Sequence, residues 1–173
     1  ENELAGCTVV LQENDYAWGR PLELPLADIP AHLRSIDVER RILAGRTGKL
    51  YTALRDLAAG MVFRDRPVEI LPPGGSTHGI FTKAVEICGA ERLCLAVAEE
   101  PDLAGEILDA FAGLTVRRIE AWRRLACPDS ERYPRSGGFH FGDDSLQLIS
   151  AADYERVVLP HHERLYAAMT TGA

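Results

Sequence analysis

Residues 140–150, HFGDDSLQLIS, place an imidazole, two adjacent carboxylates and a hydroxyl between a glycine pair and a helix start. His140 is suited to act as a general base or a metal ligand. Asp143 and Asp144 are suited to orient a substrate amine, a hydroxyl or a metal. Successive side chains of an extended chain point to opposite faces, so the two aspartates should diverge. One of them is then expected to be structural, holding amides at the helix capped by Ser150. The plainer alternative for the stretch is a solvated surface turn.

A second stretch, LPPGGSTHGIF at 71–81, reads as a glycine-rich turn between a strand and a helix. Its amides could receive an anion at the helix N-terminus, with Ser76 and His78 beside them and Lys83 about one turn into the helix. It lacks the G-K-[ST] ending of a phosphate-binding P-loop and the G-x-G-x-x-G of a dinucleotide fingerprint. Trp18, with Tyr16 in the same loop, could line a pocket or merely cover an edge. His161 and His162 are adjacent on a helix, about 100° apart, which does not suit one shared metal, and they read as helix-surface residues. No residue of the chain is assigned as a metal ligand.

The elements that must position these groups follow from periodicity and punctuation. CTVVLQ, residues 7–12, reads as a buried strand, and 67–71 as another, ended by two prolines and two glycines. Helices are expected over 28–35, with Pro30 in the first turn, and over 46–59, where Leu50, Leu54 and Leu57 form one apolar stripe. A further helix spans 80–88 and ends near Gly89. The clearest helix opens at the acidic-proline turn 99–102 and buries Leu103, Ile107, Phe111, Leu114, Ile119 and Trp122. Arg117, Arg118, Arg123 and Arg124 crowd its C-terminal half, where cations offset the dipole. GFHFGDD reads as a strand exiting into acids. Ser150 caps a helix with Asp153 three residues on, and Pro160 divides that run near residue 158. Strands alternating with helices argue for an α/β fold with a parallel sheet, whose chemistry sits at the carboxyl ends of the strands.

The totals bound the function. At 173 residues the chain is long enough for one domain with a real core, and 46% hydrophobic with 26% charged residues fits a globular protein. A formal net charge of −7 argues against a nucleic-acid partner. No apolar run approaches a membrane span, and the acidic start is unlike a signal peptide. The first residue is Glu, not Met, which is expected of a processed or truncated piece. Cys7, Cys88, Cys94 and Cys127 form no C-x-x-C pair, so reduced, mostly buried thiols in a cytoplasmic protein are expected.

Three stretches together resemble the uroporphyrinogen decarboxylase superfamily: GCTVVLQENDYAWGRPLELPLADI; RPVEILPPGGSTHGIFTKAVEICGAERLCLAVAEEPDLAGEILDAF; and FHFGDDSLQLISAADYERVVLPHHERLYAAM. The last is the most specific, with an acidic strand end, then I-S-x-x-x-Y, then V-L-P-H-x-x-R-L. The resemblance covers nearly the whole chain and rests on the order and spacing of these stretches. It implies a (β/α)8 TIM barrel, which takes about 250 residues. Residues 1–173 would then be a single domain forming the central part of such a barrel, about half to two thirds of it, truncated at both ends.

The same resemblance implies an enzyme. In the decarboxylase branch, acetate carboxylates leave a tetrapyrrole. In the methyltransferase branch, methyl groups pass between substrates, corrinoid cofactors and thiols, with a zinc held late in the chain. This sequence departs from the decarboxylase pattern: Lys83 falls where that branch has a tyrosine, and Asp143-Asp144 replace a serine-histidine pair. Adjacent acids would repel a polycarboxylate unless one is neutralised. The departures favour methyl transfer to or from a corrinoid or thiol, with uroporphyrinogen decarboxylation as the alternative. A non-catalytic corrinoid- or tetrapyrrole-binding or partner-docking module is a third reading. Asp144, Asp143 and His140 are the expected catalytic residues, and Lys83, His78, Ser76 and Trp18 the expected substrate- or cofactor-binding ones. Zinc and a corrinoid are expected only in the complete protein, with a corrinoid protein as partner and a homodimer as the family's assembly.

Overall fold

The structure is a computed structural model that describes residues 2–14, 18–72, 77–126 and 139–170. It is a mixed α/β chain, mostly helical, built around one long helix. After α1 (Asn2–Ala5), strands β1 (Val9–Val10) and β2 (Trp18–Gly19) pair antiparallel. Helices α2 (Ile29–Arg34), α3 (Val38–Ala44) and α4 (Arg46–Ala58) lead to a hairpin of β3 (Val62–Phe63) and β4 (Arg66–Pro67). Strand β5 (Thr77–His78) precedes α5 (Ile80–Cys88), α6 (Ala90–Glu99) and α7 (Pro101–Ala126). Strand β6 (Phe141–Gly142) returns beside β5 and parallel to it. A 3-10 turn, Asp144–Leu148, then leads into α8 (Ala151–Asp153), a π segment (Tyr154–Val158) and α9 (Leu159–Met169).

The 26-residue α7 is the hub, packing against α2, α3, α5, α6 and α9. Its expected stripe is seen: Ile107, Phe111, Leu114, Ile119 and Trp122 are buried, and Leu103 packs against them. Ala104, Leu108, Ala110, Ala112 and Ala121 are buried as well, because helices cover α7 on more than one side. Small residues there let the neighbours approach closely. Cys7 and Cys88 are buried free thiols and Cys94 is half-buried; burial pushes the Cys88 thiol up to about 12. Cys127 lies outside the described residues.

Several sequence expectations are corrected. The expected buried strand 7–12 shrinks to Val9–Val10, half-exposed, with Leu11 in solvent, because its partner β2 offers only two residues to pair with. Of the expected strand 67–71 only Pro67 is in a strand, β4 (Arg66–Pro67). Arg64 and Asp65, both at positive φ, make a two-residue turn that folds the chain back onto Val62–Phe63. The parallel strand lies later, at Thr77–His78, inside the stretch expected to be a turn. The sheets of the described residues are two-stranded and only β5–β6 is parallel, so the expected continuous parallel sheet is absent from them. Helix α6 had no clear signal of its own, since Gly89 and the 99–102 turn enclose only ten residues.

The leucine stripe of α4 is formed but faces outward: Leu50, Leu54 and Leu57 are exposed, and Gly48, Tyr51 and Ala58 are the buried residues. Only glycine fits at 48, where a Cβ would overlap the Ile42 carbonyl of α3. Tyr51 meets Trp122 of α7 edge-on at 5.5 Å. These two contacts fix the rotation of α4 and turn the leucines away. Pro160 does not break the last helix. The Leu159 amide reaches back to the Tyr154 carbonyl, a five-residue closure that absorbs the mismatch just before the proline. Ser150 caps as expected, accepting from the Asp153 amide at 3.1 Å.

The arginines of α7 act across helices more than along their own. Arg117 donates to the carbonyls of Leu33, Arg34 and Ile36, closing the C-terminal end of α2. Arg124 pairs with Glu39 of α3 at 2.6 Å, where both side chains are half-exposed or more. Charged hydrogen bonds to otherwise orphaned carbonyls contribute more than a solvated ion pair. Replacing Arg117 by Ala is therefore expected to cost about 2 kcal/mol of unfolding free energy. Arg124→Ala is expected to cost under about 1 kcal/mol, and urea titration of the two variants checks the order.

Candidate functional site

Around β6 the side chains from Phe139 to Asp143 alternate between two faces, and the 3-10 turn begins at Asp144. Phe139 and Phe141 stack toward Tyr166 of α9, at ring separations of 6.2 and 5.2 Å. Phe141 also lies 4.8 Å from the His162 ring. Asp143 continues this helix-facing side. The opposite side carries His140 and Gly142, and the register sets His78 of β5 directly opposite Gly142. Asp144 joins them: its Oδ1 lies 4.0 Å from where a Gly142 side chain would begin. His78, His140 and Asp144 are exposed around a glycine that leaves the backbone open.

The helix-facing side holds a buried polar network that sequence reasoning did not foresee. The Asp143 carboxylate accepts from the backbone amides of Phe81 (3.1 Å) and Thr82 (2.6 Å) and from the Thr82 hydroxyl (2.7 Å). His162 Nε2 approaches it at 2.9 Å. The Asp143 and His162 side chains are 3% and 6% exposed. The expected divergence of the two aspartates is thus seen, but Asp143 caps α5 and not the helix at Ser150. Thr82 Oγ1 in turn accepts from the Ser145 amide at 3.0 Å, fastening the turn after β6 to α5.

Burial by itself would raise the carboxyl pKa of Asp143. Donation from His162, from the Thr82 hydroxyl and from the Thr82 and Phe81 amides outweighs it and holds the group below the usual aspartate range. An ionised carboxylate only accepts, so His162 carries its proton on Nε2. Its Nδ1 faces the Tyr154 hydroxyl, 3.4 Å away on the π segment. Asp143, His162 and Tyr154 form a chain from the N-terminus of α5 to α9.

The expectation that His161 and His162 are surface residues is corrected by this geometry. His162 shares a helix face with buried Leu165 and Met169, three and seven residues on. That spacing was the signal available in the sequence. His161, 100° away, is half-buried beside Gly105. Burial, and then the neighbouring His162, lower its pKa.

The expected binding residues divide. His78 joins the open face. Lys83 lies in the first turn of α5, where Nζ meets Glu86 at 2.7 Å. Trp18 sits on β2, and the chain just after β2 is tied to the opposite end of α5 by the Leu22 amide on the Ile87 carbonyl. It is not brought to the open face. Ser76 and Tyr16 lie outside the described residues. Among the described residues no group of three His, Cys, Asp or Glu side chains is gathered closely enough to hold a metal, and no helix is long and apolar enough to cross a membrane.

Comparison of the chain with protein-family models, with curated proteins and with solved structures finds no match.

Gly79 is fixed by the network, since a Cβ there would overlap the Asp143 carboxylate. Gly79→Ala is expected to cost about 3 kcal/mol of stability. A carboxyl whose folded pKa is depressed stabilises the fold above its unfolded value, about 3.9, and that contribution is lost as pH falls through the folded value. The wild-type chain should therefore lose stability on acidification below about pH 4.5, and Asp143→Asn, weaker at neutral pH, should lose less over that range. Urea titrations from pH 7 to pH 3 check both; an equally steep loss in Asp143→Asn would remove Asp143 as its source.

Proposed function

We propose that this chain is part of a uroporphyrinogen-decarboxylase-superfamily enzyme, a section of a (β/α)8 barrel that transfers a methyl group to or from a corrinoid or a thiol. The observation that carries the reading is the parallel pairing of β5 with β6 across α5, α6 and α7. A parallel pair joined by helices is the repeating unit of such barrels, and their chemistry sits at the carboxyl ends of the strands. His78 closes β5 and Asp144 follows β6, at those ends, and His140, just before β6, shares their face, which is the interior side in a barrel. The resemblance of the acidic strand end and the V-L-P-H run to the superfamily supports the same assignment.

In this reading the two aspartates have different tasks. Asp144, exposed, orients a substrate hydroxyl, amine or thiol or accepts its proton. His140 and His78 flank it as proton carriers. Asp143 touches no substrate and positions α5 against the end of β6. A corrinoid, when bound, supplies the methyl carrier. The described residues do not make a zinc site, so no step is assigned to zinc here.

Uroporphyrinogen decarboxylation is a second reading, and one observation favours it. Repulsion of a polycarboxylate by adjacent acids loses force when Asp143 is buried and satisfied by four donors. Only Asp144 then faces the substrate side, on the face that carries His78 and His140. A non-catalytic binding module has no observation of its own in its favour.

Asp144→Ala in the complete protein should leave the thermal midpoint unchanged and reduce turnover by about 10²-fold or more, the range for a lost general base. Methyl transfer from methylcobalamin to a thiol, and carboxylate loss from uroporphyrinogen, are measured side by side. Unchanged turnover in both would remove Asp144 from the site, and absence of both activities in the wild-type protein would leave the binding module.

A further inference from the structure

Residues 46–66 form an arm that the rest of the described chain barely covers. Along α4 only Gly48, Tyr51 and Ala58 are buried, and both strands of the hairpin after it are exposed. At 100° per residue, Leu50, Leu54 and Leu57 fall within an arc of about 60°. Buried Ala58 and Tyr51 border that arc on one side, and exposed Arg46 and Lys49 border it on the other. Leu57 is 73% exposed. The leucine stripe thus faces water between the body of the chain and a cationic edge.

The hairpin continues the pattern. Val62 and Phe63 are 67% and 66% exposed, and Met61 just before them is exposed too. Successive strand residues point to opposite faces, so the hairpin is apolar on both. Arg64 lies over the Phe63 ring, 5.4 Å from its centre, and exposed Arg66 follows. A groove on a protein would cover one face of such a hairpin. The boundary between lipid headgroups and acyl chains surrounds an inserted tip on every side. Charge also sets the arm apart. Arg46, Lys49, Arg55, Arg64 and Arg66 stand against only Asp56 and Asp65, in a chain of formal net charge −7. An anionic surface is repelled by the chain as a whole and attracted by this segment, which orients the approach.

We propose that the arm docks on an anionic phospholipid surface, with α4 lying in the plane of the interface. The leucine stripe and Phe63 enter the headgroup boundary. Arg46, Lys49, Arg64 and Arg66 meet the lipid phosphates, their aliphatic stems lying along the apolar side. Docking of this kind needs no crossing helix, and among the described residues no helix is long and apolar enough to be one. It stands independently of the barrel chemistry, because no residue of the arm belongs to the face of His78, His140 and Asp144.

Flotation of the full chain with vesicles tests this, using phosphatidylserine and phosphatidylcholine in equal parts, and phosphatidylcholine alone. The chain should float with the first and not the second, less so as salt rises. Leu57→Glu should lower the partition about tenfold or more, and Lys49→Ala about fivefold, both with unchanged circular dichroism because both side chains are exposed. Phe63→Trp should add a blue-shifted emission on the anionic vesicles, over that of Trp18 and Trp122, which lie outside the arm. Absence of binding to either vesicle would overturn the proposal. So would equal binding to both, undiminished binding by Leu57→Glu, or an unmoved Phe63→Trp emission. A chain that ignores both vesicles and sediments as a larger species dispersed by Leu57→Glu would overturn it as well, and assign the arm to a protein surface.

Discussion

One carboxylate, that of Asp143, ties three parts of the chain together at a single point. It closes the N-terminus of α5, where backbone amides have no partner within the helix. It takes the Nε2 proton of His162 and so anchors α9. Because it belongs to the residue just after β6, the same contact sets the end of the parallel strand pair. A buried charge with fewer donors would destabilise the fold. Four donors and the positive end of a helix turn it into a clamp.

The clamp decides what the open face can present. With Asp143 drawn to the helix side, pleating turns Gly142 and His140 to the other side and leaves Asp144 free beside them. The absence of a side chain at Gly79 lets the carboxylate come close enough, and the absence of one at Gly142 leaves room over the backbone. Support and exposure are thus separated by one residue in sequence. The π segment adds a second adjustment, since its extra residue brings Tyr154 to His162 while α9 continues past Pro160.

Much of this was legible in the sequence, for physical reasons that can be named. The long α7 was readable because six apolar positions recur along one side from Leu103 to Trp122. The helix at 80–88 was readable from Gly79 and Gly89 at its ends. That adjacent aspartates must diverge follows from strand pleating alone. Other features depended on partners far along the chain. Nothing near Asp143 says that its amides come from residues 81 and 82, and nothing near Leu50 says that Gly48 and Tyr51 would claim the inward face of α4. The burial of His162 is marked in the sequence by Leu165 and Met169 on its helix face, not by the doubled histidine. The expected strand at 7–12 was cut short before the turn at Asn14, and at 66–67 the chain pairs only with Val62–Phe63 across the turn at Arg64-Asp65; the positive φ values of these turns are not marked by glycine.

The separation of a supporting from a presenting aspartate rests on the ionisation of Asp143 and the tautomer of His162. Long-range 1H–15N correlation of the imidazole at neutral pH reads that tautomer directly. The account predicts a proton on Nε2 of His162, held against the Asp143 carboxylate, with that arrangement lost in Asp143→Ala. A ring protonated on Nδ1 alone would contradict it, because Nε2 would then have no proton to give the carboxylate.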